Sequence, residues 1–81
     1  MLTLYGRPYC HLCDDMLTAL EAARSEFDFT VEVVDVDTRP EWVELYDELV
    51  PVLTLSGAEI CHFFLDVDRL RAALQQVSTN I

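Results

Sequence analysis

Apolar positions along the chain alternate between short runs and helical stripes. LTLY, Leu2 to Tyr5, predicts a strand that Gly6 and Pro8 end. From about Leu12 the apolar residues recur at Leu12, Met16, Leu20, Ala23 and Phe27, the spacing of one helix face. Asp14, Asp15, Thr18, Glu21 and Ser25 fall on the other faces. FTVEVVDVD returns to the strand period, with Val31 and Val33 on one side and Val34 and Val36 on the other. Valines on both faces predict a strand covered on both sides. Pro40 suits the first turn of a helix, where its missing N–H costs nothing, and Trp42, Leu45, Tyr46 and Leu49 give that helix an inner face. PVLTL and AEICHFF predict two further strands joined through Ser56 and Gly57 as a hairpin. Trp42, Tyr46, Phe63 and Phe64 are expected in the core or at its rim. Asp66 is placed to cap a last helix striped by Val67, Leu70, Leu74 and Val77, with the closing STNI frayed.

The order of elements is therefore β-α-β-α-β-β-α. The first strand–helix–strand unit requires a parallel crossover, and the last two strands form an antiparallel hairpin. This is an α/β fold: a mixed four-stranded sheet flanked by helices, in a single domain over residues 1–81. At 52% hydrophobic residues the chain has the material for one core. No apolar run approaches the roughly 18 residues of a membrane span. Met1 leads straight into LTLY without a basic or cleavable segment, which predicts no signal peptide and a cytoplasmic protein.

Charge narrows the partners. The formal net charge is -10, lysine is absent, and the cations are Arg7, Arg24, Arg39, Arg69 and Arg71. Such a surface repels nucleic-acid phosphates and anionic membranes, and it favours a soluble monomer.

Cys10 and Cys13 form a C-x-x-C pair between the first strand and the first helix. The spacing alone permits a metal clip, a structural bridge or a reacting dithiol. Three cysteines in a reducing compartment argue against a disulfide framework, and C-x-x-C beside a βαβ pattern points to redox chemistry. A zinc site would need Cys61 with His62 or His11. Adjacent strand residues such as Cys61 and His62 point to opposite faces, which makes one tetrahedral site awkward, and a site with His11 lacks the second closely spaced ligand pair of structural zinc. No resident metal is expected, with a redox-inactive metal-binding or scaffold module as the alternative.

A thiol attacks a disulfide only as its thiolate. At pH 7 an ordinary cysteine is a few per cent ionised, and roughly 2 kcal/mol makes it half ionised. Cys10 is expected at the helix mouth, where unpaired N–H groups contribute about 0.3–1 kcal/mol. Arg7 is expected to add a cation nearby or to cover apolar surface with its stem. Asp14 and Asp15 oppose ionisation by roughly 0.5 kcal/mol each at about 8 Å in water. Cys10 is thus the candidate nucleophile and Cys13, one turn on and less exposed, the resolving thiol. Tyr9 is the aromatic expected to border a substrate groove. His11 is expected to be exposed, either tuning the leaving thiol or simply solvated. Cys61 reads as a small buried side chain, with a third redox thiol as the alternative.

YGRPYCHLC, the later LVPVLTL and the order of elements resemble the thioredoxin-fold superfamily, and within it small glutaredoxin-like proteins. CHLC and the closing LDVDRLRAAL are closest to a bacterial glutaredoxin-like branch. The resemblance implies a thiol-disulfide oxidoreductase acting on protein or small-molecule disulfides. It also implies regeneration by a cellular reductant, either glutathione or a thioredoxin-reductase-type enzyme. It places Val50 and Pro51 at the superfamily's cis-proline site, where the preceding residue's backbone pairs with an extended substrate. Arg7, Tyr9, His11, Leu12, Val50 and Pro51 are then the expected substrate-binding residues. The sequence departs from glutaredoxins in two places. His11 and Leu12 replace the Pro-Tyr between the cysteines, and Cys61 and His62 stand at the glycine pair beside which backbone approaches glutathione. Asp66 stands one residue out of register with the family's aspartate. No bound cofactor is expected, and glutathione stays open as a co-substrate.

Overall fold

The computed structural model describes residues 2–79, with side chains through residue 75. Its elements are β1 (Leu2–Gly6), α1 (His11–Ala23), β2 (Val31–Asp35), α2 (Pro40–Tyr46), β3 (Val52–Leu55), β4 (Ala58–His62) and α3 (Val67–Thr79). A single 3-10 turn, Val36–Thr38, leads from β2 towards α2. The sheet order is β2-β1-β3-β4, with β1 parallel to β2 and antiparallel to β3, and β3 antiparallel to β4. This is the expected mixed four-stranded sheet with flanking helices.

One face of the sheet carries the larger core. Leu2, Leu4, Leu53, Ile60 and Cys61 meet Met16 and Leu20 of α1 and Leu70 of α3 there. Leu2, Leu4, Leu53 and Leu70 expose no surface, and each such side chain stabilises the fold by about 1.5–3 kcal/mol. An irregularity between Leu53 and Thr54 interrupts the β3–β4 register, so neighbouring Ile60 and Cys61 both enter this core. On the opposite face Tyr5 packs against α2, stacked on Tyr46 at 4.6 Å and edge-on to Trp42 at 5.5 Å.

The hairpin between β3 and β4 turns through Ser56 at φ 53° and Gly57 at φ 85°. Two positive-φ residues match the twist of paired strands, which fits the Ser-Gly signal. Asp66 accepts the Arg69 backbone N–H at 3.1 Å and so caps α3. Pro40 opens α2 as expected.

Several positions differ from the periodicity. β2 lies at the sheet edge, and Val33 is 57% exposed, so the strand is not covered on both sides. It also stops at Asp35, because Asp35 Oδ1 accepts the Asp37 backbone N–H at 2.9 Å and turns the chain into the 3-10 turn. The inner face of α1 runs through Cys13, Met16 and Leu20, leaving Leu12 half-buried, and the helix ends before Phe27. Leu45 is 61% exposed: on α2 the inward positions are Trp42 and Tyr46, set by Tyr5 beneath them. Phe63 and Phe64 lie beyond the end of β4 and are exposed rather than core. Val67 is likewise exposed at the start of α3. The helix continues through Ser78 and Thr79; Asn80 and Ile81, the rest of the segment expected to fray, lie outside the described residues, as does the Val77 side chain. Among the described residues no helix is long and apolar enough to cross a membrane.

Candidate active site

The strand registers bring four connections to one end of the sheet. Gly6 pairs with Asp35, Tyr5 with Val52, and Val52 with His62. The Cys10 loop, the 3-10 turn, the Val50–Pro51 segment and the residues after His62 therefore emerge together. Chain segments far apart in sequence, the Cys10 loop and the residues after His62, meet here because β3 runs antiparallel to both its neighbours.

Cys10 is the N-cap of α1, extended at φ -100° and ψ 113° and partly exposed. Its sulfur accepts the Cys13 backbone N–H at 3.2 Å, and its carbonyl accepts the Asp14 N–H at 3.2 Å. One of the orphan donors of the first turn thus points at the sulfur. Cys13 lies one turn on, facing the sheet and buried. All three cysteines are free thiols.

Burial pushes the Cys13 thiol up to about 11, its hydrogen bond with Cys10 adds to the rise, and the Arg7 backbone N–H opposes it. The neutral thiol is therefore the form the fold prefers. Stability drawn from it is complete below pH 9, the ordinary thiol value here, and is lost as pH rises through about 11. Two observations should follow. Denaturation of the reduced protein at stepped pH should show stability falling from pH 9 to 11, with that part absent in Cys13→Ala. Iodoacetamide at pH 8, followed by peptide mapping, should label Cys10 first, with Cys13 lagging until the pH nears 11. Equal labelling at pH 8 would contradict the assignment.

Gly6 makes room for this thiol. A Cβ at Gly6 would stand 2.7 Å from Cys13 Sγ and 3.3 Å from its Cβ. A cavity of about 250 Å³ lies alongside, lined by Leu4, Gly6, Pro8, Cys13, Leu17 and Val33 among others. The sequence marked Gly6 only as a strand terminator; the lone signal for a closer role was its place four residues before a C-x-x-C.

Arg7 does not serve as a free cation for Cys10. Its Nε donates to Asp37 at 3.1 Å, its Nη1 to the Asp47 carbonyl at 3.1 Å, and its Nη2 to both the Asp37 and Asp47 carboxylates. These two carboxylates raise its already high pKa further. The guanidinium instead ties the Cys10 loop to the 3-10 turn and to the end of α2, three residues before Val50. Neither Asp37 nor Asp47 carried a motif that would have marked it.

Tyr9 is 99% exposed directly before Cys10, His11 is exposed and Leu12 is half-buried. The Val50–Pro51 bond is cis. Pro51 is buried, and its carbonyl accepts the Phe63 N–H at 2.9 Å. The expectation that Val50 offers both backbone groups to an extended chain is corrected in part. Its N–H already donates to the Tyr46 carbonyl at 3.1 Å, because α2 closes with a turn that reaches it. The Val50 carbonyl has no donor among the described residues and remains available.

Cys61 and His62 do not act together on the substrate side. Cys61 turns into the core, where burial raises its pKa, while His62 takes the other face, with Nδ1 3.1 Å from Glu59 Oε2. The positive-φ position at this end of the molecule is Phe63, at φ 65°. A groove of about 470 Å³ opens here, lined by His62, Phe64, Leu65, Asp66, Val67 and Arg69 over Cys61. Among the described residues no group of three or more His, Cys, Asp or Glu side chains is placed to hold a metal ion.

Comparison with known proteins agrees with this geometry. The family model for the glutaredoxin-like domain (DUF836) matches residues 1–75. An NMR structure of a structural-genomics protein from Nitrosomonas europaea is 39% identical, covers 90% of this chain and 88% of its own, and superposes with a TM-score of 0.82. A crystal structure of a structural-genomics target from X. campestris is 38% identical, with coverage of 94% and 97% and a TM-score of 0.75. Thioredoxin 1 of Thermosipho africanus, at 20% identity, coverage of 95% and 97% and a TM-score of 0.59, shares the fold. No curated protein matches the chain. A strand-to-helix C-x-x-C on this framework supports a thiol-oxidoreductase-like module. The chain belongs to the glutaredoxin-like domain family.

Proposed function

We propose that the protein is a thiol-disulfide oxidoreductase in which Cys10 is the nucleophile and Cys13 the resolving thiol. The observation that carries this is the pairing of a partly exposed sulfur at the mouth of α1 with a buried one a turn away, linked by the 3.2 Å contact from the Cys13 N–H. An exposed attacking sulfur and a shielded resolving one divide the two halves of an exchange cycle between them.

In the first half, the Cys10 thiolate attacks one sulfur of a substrate disulfide. A bond forms between Cys10 Sγ and that sulfur, the substrate S–S bond breaks, and the other substrate sulfur leaves as a thiolate that takes a proton from water. In the second half, Cys13 gives up its proton and attacks Cys10 Sγ. The internal disulfide forms, the remaining substrate thiolate departs, and the substrate has gained the two electrons that the dithiol has lost. Cys13, held protonated by burial, stays idle until a mixed disulfide is present. The free Val50 carbonyl accepts an N–H from the substrate chain, and Tyr9 offers an exposed aromatic surface beside the reacting sulfur. Substrates are protein or small-molecule disulfides. The reductant that reopens the internal bridge is glutathione or a thioredoxin-reductase-type enzyme.

Cys13→Ser tests the division of labour. Incubated with a disulfide substrate and weighed intact, the variant should accumulate a long-lived mixed disulfide on Cys10. The parent protein should pass instead to an internal bridge two hydrogens lighter than the dithiol. If the variant releases substrate as fast as the parent, Cys13 has no resolving role.

A further inference from the structure

The reacting end of the molecule is rich in carboxylates. Asp14 and Asp15 lie within about 8 Å of Cys10 along the α1 axis, from a rise of 1.5 Å per residue. Asp37 and Asp47 are drawn to Arg7, three residues before Cys10, and Asp66 and Asp68 sit at the start of α3 after the end of β4. At Val50 the backbone offers a substrate chain an acceptor, its carbonyl, because its N–H is spent on Tyr46.

Cations offset little of this. The chain has no lysine, and its net charge is -10. Each arginine is held by carboxylate: Arg7 by Asp37 and Asp47, Arg24 by Glu21, Arg39 by Glu41, Arg69 by Asp66, and Arg71 by Asp68 and Glu26. Glutathione disulfide brings four carboxylates and two ammonium groups. Its carboxylates would enter a negative field and find no unpaired guanidinium. A cationic chain brings N–H donors and positive charge to the same surface.

From this we infer that the dithiol selects disulfides carried on cationic peptide chains and discriminates against anionic ones, glutathione disulfide among them. The inference rests on the exchange reading above and assigns its substrate class. Opposite charge steers encounter at the exposed Cys10 sulfur and holds the mixed disulfide, while like charge slows both. The attack, the departing thiolate and the electron balance are those already written, with the substrate disulfide as oxidant.

Three small disulfides separate the possibilities in the full-length reduced protein: cystamine as the dication, hydroxyethyl disulfide as the neutral compound, and glutathione disulfide as the dianion. Rates of dithiol oxidation are read by acid quench, alkylation and mass, each divided by the rate of that disulfide with dithiothreitol. At low ionic strength the normalised order should be cystamine, then hydroxyethyl disulfide, then glutathione disulfide, with the extremes about tenfold or more apart. Salt at about 0.3 M should compress that ratio by shortening the screening length, and Asp14→Asn with Asp15→Asn should narrow it at low salt. Glutathione disulfide reacting as fast as cystamine, or an order indifferent to both salt and the double substitution, would overturn the inference and leave the exchange reading intact. Failure to react with all three would instead remove the exchange reading.

Discussion

Cys10→Ser should lower disulfide exchange by roughly a thousandfold or more while leaving the fold as stable as before. The loss follows from the chemistry of the atom. A serine hydroxyl has no ionised fraction at neutral pH, and an oxygen cannot form the mixed disulfide on which the cycle turns. The retained stability follows from position. Residue 10 is the N-cap of α1, with its sulfur accepting the Cys13 N–H at 3.2 Å. Serine is among the preferred residues at such a site, and its oxygen is the better acceptor for that N–H. The helix start should therefore hold or gain up to about 1 kcal/mol. The two readouts, turnover of a small disulfide and the urea midpoint of the reduced protein, should separate cleanly. Activity within about tenfold of the parent would place the nucleophile elsewhere.

Gly6→Ala should have the second-largest effect, acting through packing. The added methyl would stand 2.7 Å from Cys13 Sγ and 3.3 Å from Cys13 Cβ. Rotating the thiol about its one torsion relieves only the first contact, because the Cβ does not move with it. Residue 6 cannot retreat easily, being paired with Asp35 at the end of β1, and the first turn of α1 is tied down through Cys10. The helix start must shift by several tenths of an ångström. Overpacking of this kind costs about 1–3 kcal/mol, a fall in Tm of roughly 4–8 °C per kcal/mol in a domain of this size. Moving Cys13 also lengthens its approach to Cys10, so mixed disulfides should persist longer than in the parent. An unchanged Tm and an unchanged resolution rate would mean that the site yields to a methyl without strain.

The dithiol was legible because everything needed to find it is local. Cys10 and Cys13 are three residues apart, Gly6 and Pro8 end a strand before them, and a helical stripe starts just after. Asp66 as the cap of α3, Pro40 at the start of α2 and the Ser56-Gly57 turn were legible on the same grounds, since each depends on a few neighbouring residues. Leu45 and Phe64 were misplaced because hydrophobicity says that a side chain can be buried, not that a partner will arrive to bury it. Leu45 faces away from Tyr5, and Phe64 lies past the last paired residue of β4, so neither meets the core. Arg7 reads in the sequence as a cation for the thiol or as a stem over apolar surface, whereas its partners, Asp37 and Asp47, stand 30 and 40 residues along the chain.

Residue order by itself determined the strand and helix periods, the placement of two thiols at a strand-to-helix junction and the excess of negative charge, because all of these arise from near neighbours or from simple composition. Only the folded arrangement decided that β2 lies at an edge, that Gly6 shelters the Cys13 sulfur, that Arg7 buckles two loops together and that the Val50 N–H is already taken. Each of those depends on groups far apart in the chain meeting at distances of a few ångströms. Such meetings are set by strand register and helix docking, which no short window of residues contains.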